Sequence, residues 1–423
     1  MTKKIWLVYI ILLTLFSLWI RAYRITEPNR YYFDEVYHAV TAEAYAANDP
    51  APYDPFSPSP KPGTAYDWLH PPLAKLIQAA SIKIVGDTPL GWRMPSLVIG
   101  TAIIPATFLL AYILFGPIAA MFAATTIAFE NLTFVMSRIT MNDVFVTFFV
   151  ICSLIFTALY HKSNKFRHLL LISVFLGLAV ASKWTGLYAI GIVFLYLLFL
   201  DLKEKKFNFK IILIIVLPFL IYLGSYGQFW IQGHTIRQFI DLHKQIWWYQ
   251  NRHDLKHSYA TTPVFCAPEG LEGQKTFCPW ILDARGVYLS YEQYGQKAGF
   301  IYALGNPFVF WVGIIAISYM VGKYIEDKNK NILIVLFGYF IFWVPWVFTP
   351  RILFLYHYLP SIPFLSVGLG YTLAKIYKTK LMVFSLFIIG LFILAFFYFY
   401  PITSGYPIDP ASIQNYMWLS TWR

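Results

Sequence analysis

The stretch Ile5-Trp6-Leu7-Val8-Tyr9-Ile10-Ile11-Leu12-Leu13-Thr14-Leu15-Phe16-Ser17-Leu18-Trp19-Ile20-Arg21-Ala22-Tyr23 carries Arg21 as its only charge. A helix needs ~20 mainly apolar residues to cross a hydrocarbon core, and this run supplies them. The chain then leaves through Arg24 and Pro28 into Tyr31-Tyr32-Phe33-Asp34-Glu35-Val36-Tyr37-His38. Two adjacent carboxylates among aromatics at a membrane surface are costly to desolvate, and packing alone explains them poorly. Asp34 and Glu35 are therefore the first candidates for chemistry. A solvated acidic loop is the plainer alternative, and the aromatic setting argues against it.

Composition extends this reading to the whole chain. Of 423 residues, 58% are hydrophobic, 20% aromatic and only 13% charged, where a soluble protein would carry about a quarter charged residues. Apolar spans are read at 5–23, 93–115, 118–136, 140–160, 168–185, 187–200, 211–229, 299–322, 331–348, 352–374 and 381–400. Backbone groups in lipid must be satisfied within their own segment, so these spans are helices. The expectation is an all-α polytopic membrane protein of about eleven transmembrane helices, forming a single domain over 1–423.

Placing Lys3 and Lys4 in the cytoplasm puts every short basic loop on one side, as the positive-inside rule requires. Those loops hold Lys162, Lys165 and Arg167; Lys203, Lys205, Lys206 and Lys210; Lys323, Lys328 and Lys330; and Lys375, Lys378 and Lys380. Two long loops, 24–92 and 230–298, and the tail 401–423 then fall outside. The net charge of +12 is mostly a topology signal, and its dispersal argues against nucleic-acid binding. Cys152 lies within a span and fills space there. Cys266 and Cys278 share the second outer loop, where an oxidising compartment favours a disulfide between them. A zinc site there lacks ligands, although His257 is near.

The first outer loop runs through a Pro-rich stretch, 50–62, to Tyr66-Asp67-Trp68-Leu69-His70-Pro71-Pro72-Leu73-Ala74-Lys75. Beyond Pro72, which suits a first helical turn, Leu73, Leu76, Ile77, Ala80 and Ile84 recur at helical spacing. That pattern predicts an amphipathic helix over 73–85 lying in the outer interface. Polar residues also gather at the outer ends of the spans: Arg138, Asn142 and Asp143; Lys183; and Arg351, His357 and Tyr358. Snorkelling explains one such Lys or Arg. It explains a single-faced set of acids and bases less well, and intramembrane ionisable groups point to function. Cations there can hold a lipid-borne phosphate as a leaving group. A carboxylate opposite can take the proton of an attacking hydroxyl. These are the parts of glycosyl transfer from a lipid-phosphate sugar.

The ordered motifs carry a resemblance. They are Phe33-Asp34-Glu35; His70-Pro71-Pro72-Leu73-Ala74-Lys75; Gly91-Trp92-Arg93-Met94-Pro95-Ser96; Ser137-Arg138 through Asp143; and Gly177 through Lys183-Trp184-Thr185-Gly186. Then follow His257-Ser258-Tyr259, Gly305-Asn306-Pro307, Phe354-Leu355-Tyr356-His357-Tyr358-Leu359-Pro360 and Met417-Trp418-Leu419-Ser420-Thr421-Trp422. In this order, over almost the whole chain, the sequence resembles the protein O-mannosyltransferases, the dolichyl-phosphate-mannose–protein mannosyltransferase family of C-type membrane glycosyltransferases.

The resemblance implies the C-type fold and inverting transfer of mannose from a polyprenyl-phosphate donor to Ser or Thr hydroxyls of translocated proteins. It implies Asp34 as general base, Glu35 as its support, and Arg138, Lys183, Arg351, His357 and Tyr358 on the donor-phosphate side. His70, Lys75, Asp143, His257 and Tyr259 take loop, acceptor or structural roles. Asp34, Glu35, Asp143 and the outer-loop histidines could also assemble a divalent-cation site, although their spacing does not require one. The large luminal domain of the eukaryotic enzymes is absent from the second loop, which points to a prokaryotic plasma-membrane enzyme. That loop also departs from relatives at Thr261-Thr262-Pro263, which bears on the acceptor more than on catalysis. The secretion translocon and a second copy are open as partners. Two rivals remain: a lipid-directed transferase of the aminoarabinose–lipid A type, and a flippase or transporter. The latter lacks the internal duplication and midplane polar site common in transporters.

Overall fold

The computed structural model describes residues 3–203, 208–252, 280–348 and 353–422. Its helices are α1 (Lys3–Ala22), α2 (Glu35–Ala46), α3 (Leu73–Val85), α4 (Pro89–Phe115), α5 (Pro117–Ala128), α6 (Asn131–Met136), α7 (Asp143–Ser163) and α8 (Phe166–Ser182). Next come α9 (Gly186–Lys203), α10 (Leu213–Ser225), α11 (Gly227–Ile231) and α12 (Ile236–Gln250). A hairpin of β1 (Val287–Tyr294) and β2 (Lys297–Ala303) precedes α13 (Pro307–Asp327), α14 (Lys330–Phe340), α15 (Ile362–Tyr377) and α16 (Met382–Ser404). Among the described residues, six helices are long and apolar enough to cross a membrane: Lys4–Ala22, Pro89–Phe115, Asp143–Ser163, Gly186–Lys203, Pro307–Asp327 and Met382–Ser404. Shorter apolar helices occupy Pro117–Ala128, Phe166–Ser182, Phe209–Ser225 and Lys330–Trp346.

Two compact units alternate along the sequence. One comprises Asp34–Ile99 and Ile139–Asn251; the other comprises Met1–Phe33, Gly100–Arg138 and Arg252–Arg423. In the Asp34 unit, α7 packs on α8, α8 on α10, and α2 on α3. The predicted helix over 73–85 forms with those bounds, starting after Pro72. Its protein-facing side holds Ala74, Lys75, Gln78, Ala79, Ser81 and Ile82, whereas Ile84 is 82% exposed. Lys75, Gln78 and Ser81 thus turn inward with Ala74, Ala79 and Ile82, whereas Ala80 and Ile84 face out and Leu73, Leu76 and Ile77 lie half-buried between. α2 was not read from the sequence. Its length of 12 residues and few strong apolar repeats hid it inside the loop.

In the other unit, α5 packs against α15 and α1, and α13 against α15. Several expected span boundaries are corrected here. The span 118–136 breaks at Glu130, which is buried and caps α6 by accepting from the amides of Leu132 and Thr133 at 2.9 and 2.6 Å. The span 299–322 begins as strand, and its helix starts only at Pro307. Val287, Tyr288, Tyr291 and Tyr294 favour extended structure, and Gly295 at φ +62° opens the two-residue turn to Lys297. The all-α expectation thus acquires one hairpin, because the short apolar run of β2 cannot be told from the start of a buried helix by pattern. The segment 352–374 starts with a 3-10 turn, Leu355–Ser361, before α15, and α16 extends past the expected end at 400 to Ser404.

Candidate functional site

Asp34 is the N-terminal boundary residue of α2. Its backbone is helical (φ −73°, ψ −1°), and its side chain is not used as a cap. It is half-buried, and the amide end of the helix favours a negative charge beside it. Burial raises the pKa of the neighbouring Tyr37 phenol, and the Asp34 charge raises it further.

Glu35, in the first turn of α2, differs sharply from its neighbour. Arg93 in the first turns of α4 donates to both its oxygens, Nε to Oε1 and Nη2 to Oε2, each at 2.8 Å. The Thr140 amide donates to Oε1 at 3.1 Å. Both partners are 0% exposed, so this bidentate pair is architecture that fixes the start of α2. Glu35, expected to support Asp34, accepts here from a guanidinium and an amide.

Asp34, His38 and Thr41 follow one another at helical spacing along one face of α2, and Asp67 docks on that face. Its Oδ2 lies 2.9 Å from His38 Nδ1 and 3.0 Å from Lys75 Nζ. The Asp67 amide donates to Thr41 Oγ1 at 2.7 Å. Lys75 Nζ donates in addition to the carbonyls of Asp67 and His70, the latter at 3.0 Å. The His38 and His70 rings stack at 6.0 Å. Burial alone pushes the Asp67 carboxyl up, but Lys75, His70 and His38 together hold it well below the usual carboxylate range. Removal from water lowers the His70 imidazole pKa well below its ordinary value; Asp67 opposes that shift, and Lys183, His38 and Lys75 add to it.

Lys183 ends α8 in an extended conformation, φ −159° and ψ 140°. The chain can turn there because a Cβ on Gly186 would lie 2.5 Å from the Val180 amide nitrogen; only glycine lets α9 start so close to the last turn of α8. Since α7 packs against α8, Asp143 in the first turn of α7 meets Lys183, with Oδ1 accepting from Nζ at 2.7 Å. Buried side-chain atoms cluster in sequence nearby: among the described residues, Asn142 Oδ1 and Nδ2, Asp143 Oδ2 and Thr185 Oγ1 have no hydrogen-bond partner.

The other expected donor-side residues belong to the second unit. Arg138 Nη1 donates to the carbonyls of Arg21 and Tyr23, and Nη2 to those of Arg24 and Ser404. It thereby satisfies the carbonyl ends of α1 and α16. Arg138, expected on the donor-phosphate side, is thus bonded to the carbonyls of two helix ends. Tyr358, expected on the same side, is fully buried and donates to the Tyr339 hydroxyl at 2.8 Å. His357 is packed between Trp280, stacked at 6.2 Å, and Trp346, edge-on at 5.1 Å. Arg351, His257, Tyr259, Cys266 and Cys278 lie outside the described residues. Among the described residues, no three His, Cys, Asp or Glu side chains are grouped to hold a metal ion.

Sequence reasoning passed over His38, Asp67 and Arg93, although all three sit in or beside quoted motifs. The available signal was an unpaired count: Glu35 and Lys75, buried charges, each need an opposite charge.

Two family models match in succession: dolichyl-phosphate-mannose-protein mannosyltransferase over residues 11–236, and the C-terminal four-transmembrane region of protein O-mannosyltransferase over 235–422. The polyprenol-phosphate-mannose–protein mannosyltransferase of Corynebacterium glutamicum is 23% identical over 424 residues, covering 84% of this chain and 81% of that one. The Saccharomyces cerevisiae protein O-mannosyltransferase Pmt1-Pmt2 complex bound to the sugar donor superposes at TM-score 0.79 with 15% identity, covering 100% of this chain and 93% of that one. ArnT from Cupriavidus metallidurans bound to undecaprenyl phosphate superposes at TM-score 0.60 with 11% identity, over 95% and 77% of the two chains. The chain belongs to the protein O-mannosyltransferase family, an integral membrane protein with the C-type glycosyltransferase fold.

Proposed function

We propose that this member of the protein O-mannosyltransferase family moves mannose from polyprenyl-phosphate-mannose to the hydroxyl of Ser or Thr in a translocated protein. The hydroxyl oxygen attacks the anomeric carbon as the carbon–oxygen bond to phosphate breaks, so the configuration inverts and polyprenyl phosphate leaves. Asp34 takes the hydroxyl proton as general base. Lys183 receives the phosphate charge, with Asp143 holding its ammonium in place. The N-terminus is cytoplasmic, and Asp34, Lys183 and the C-terminal tail face the opposite side.

The observation that carries this reading is the buried pair of Lys183 and Asp143, Nζ 2.7 Å from Oδ1, which sets a cation at the end of α8 in the same compact unit as Asp34 at the head of α2. The test is incubation of membranes bearing the protein with labelled polyprenyl-phosphate-mannose and a Ser/Thr peptide. Label in the peptide is expected; label confined to glycolipid makes the chain a lipid-directed transferase.

A further inference from the structure

Asp283 is a fully buried acid for which the proposed reaction has no use. It follows the short turn Trp280–Leu282 with a left-handed backbone, φ +53°, a conformation that Asp tolerates better than most residues. Its Oδ1 accepts from the Gly305 amide at 3.0 Å. The next amide, that of Asn306, donates to Oε1 of buried Glu130 at 3.2 Å. Two carboxyls therefore hang from consecutive amides at the head of α13, and they are unequally served. Glu130 accepts three further bonds, from the Leu132 and Thr133 amides and the Thr133 hydroxyl, at 2.9, 2.6 and 2.6 Å. Asp283 Oδ2 has no hydrogen-bond partner among the described residues. The same segment anchors the C-terminal tail. The Asp283 carbonyl accepts from Trp422 Nε1 at 2.7 Å, and the Ala284 carbonyl accepts from the Thr421 hydroxyl. Trp422 itself packs among Leu304, Phe399, Ile402 and Met417.

We propose that Asp283 is kept as a neutral carboxylic acid and works as a proton-held clasp, closing the joint between the segment that enters β1, the head of α13 and the C-terminal tail. A buried carboxylate oxygen with no donor is costly, and a second carboxylate alongside makes ionising both costlier still. A proton on Oδ2 removes these costs and leaves Oδ1 on the Gly305 amide. The charges around the joint place that proton on Asp283 rather than on Glu130. Glu130 receives four hydrogen bonds and faces the Arg21 guanidinium at the end of α1, with the Tyr358 phenol also near it; donors and a cation favour the ionised form. Asp283 has the Gly305 amide alone, and Arg285, two residues on, is the charged neighbour in its own segment. Burial pushes the Asp283 carboxyl well above its ordinary range; the Gly305 amide opposes that shift and the Glu130 charge adds to it. Once ionised, Asp283 gains water by leaving the Gly305 amide, and the carbonyls that hold Trp422 and Thr421 move with it.

The test is infrared spectroscopy and hydrogen exchange of the full-length protein in phospholipid nanodiscs. At neutral pH the carbonyl stretch of a protonated carboxyl is expected, moved by isotope labelling of aspartate carboxyls and removed by Asp283→Asn. Between the ordinary carboxyl value of about 4 and the raised folded one, opening of the joint releases the proton, so its extent grows by up to about tenfold per pH unit. Exchange of segment 405–422, corrected for the intrinsic rise with pH, is expected to quicken accordingly in the native chain and to stay level in Asp283→Asn. If that variant folds poorly, the isotope shift and the pH dependence are read in the native chain by themselves. Aspartate labelling that moves no such band, or a band that survives in Asp283→Asn, overturns the proposal in favour of an ionised Asp283 paired with a cation. Tail exchange independent of pH overturns the clasp.

Discussion

The unit that begins at Asp34 and the unit that contains Arg138 use buried cations in different ways. In the first, each buried cation faces a carboxylate side chain: Arg93 with Glu35, Lys75 with Asp67, Lys183 with Asp143. In the second, Arg138 directs its terminal nitrogens to four backbone carbonyls at the ends of α1 and α16. A cation bound to a side-chain carboxylate can share its charge with an arriving phosphate by small rotamer changes. One that closes helix ends cannot let go without exposing carbonyls in an apolar setting. Charge near a membrane face therefore does not mark a ligand site by itself; the partner decides.

The strongest blow to this comparison comes at Arg93. Replacing it by Met leaves Glu35 buried and unpaired, an expected loss of about 3–5 kcal/mol, read as a fall in unfolding midpoint and yield of solubilised protein. Replacing Glu35 by Leu in the same chain should recover part of the loss. Next, Asp34→Asn is expected to lower peptide mannosylation by more than ~100-fold with an unchanged unfolding midpoint; wild-type turnover removes Asp34 from the reaction. Arg138→Gln should cost about 1.5–3 kcal/mol of stability from its charged hydrogen bonds and leave the KM for donor unchanged in the folded fraction. A raised donor KM instead would return Arg138 to the phosphate. Lys183→Gln is expected to show the reverse pattern, a roughly tenfold or greater rise in donor KM, equivalent to about 1.4 kcal/mol per tenfold. An unchanged KM would place the lysine with Arg138 as scaffold.

The smallest effect concerns pH. His70 is held below its ordinary pKa of about 6.5, so the unfolded chain binds its proton more tightly than the folded one. The stability this gives is present above about pH 6.5 and lost as pH falls toward the depressed folded value, by no more than about 1.4 kcal/mol per pH unit. Unfolding midpoints between pH 7 and 5 should drop in the native protein and flatten in His70→Asn. Asp67 acts with the same sign in a more acidic window. Its depressed carboxyl gives stability that is complete above about pH 4 and fades below it.

Motifs and patterning made much of this molecule legible. The bounds of α3 followed from Pro72 and the spacing of Leu73, Leu76, Ile77, Ala80 and Ile84, because helical periodicity is local. The hairpin was missed because Phe300, Ile301 and Tyr302 look alike whether the chain is extended or coiled. α2 was missed because its buried face includes Ala39, Ala42 and Ala44, too small to raise an apolar signal. Among the expected site residues, Lys183 meets a carboxylate, Glu35 a guanidinium, Arg138 backbone carbonyls and Tyr358 a second phenol. Residue type revealed that each was expensive to bury and not what neutralised it.

The sequence by itself determined a membrane protein of this family, with acids at the end of its first span and cations spaced along the rest. Lipid imposes helix length and apolarity locally, so both can be read residue by residue. Tertiary structure alone decided that Arg93 takes Glu35, that Asp67 joins α2 to α3, and that Arg138 serves carbonyls. Those choices depend on which helix ends meet, and partners from 26 positions apart, Asp67 and Thr41, to 266, Arg138 and Ser404, leave no local pattern.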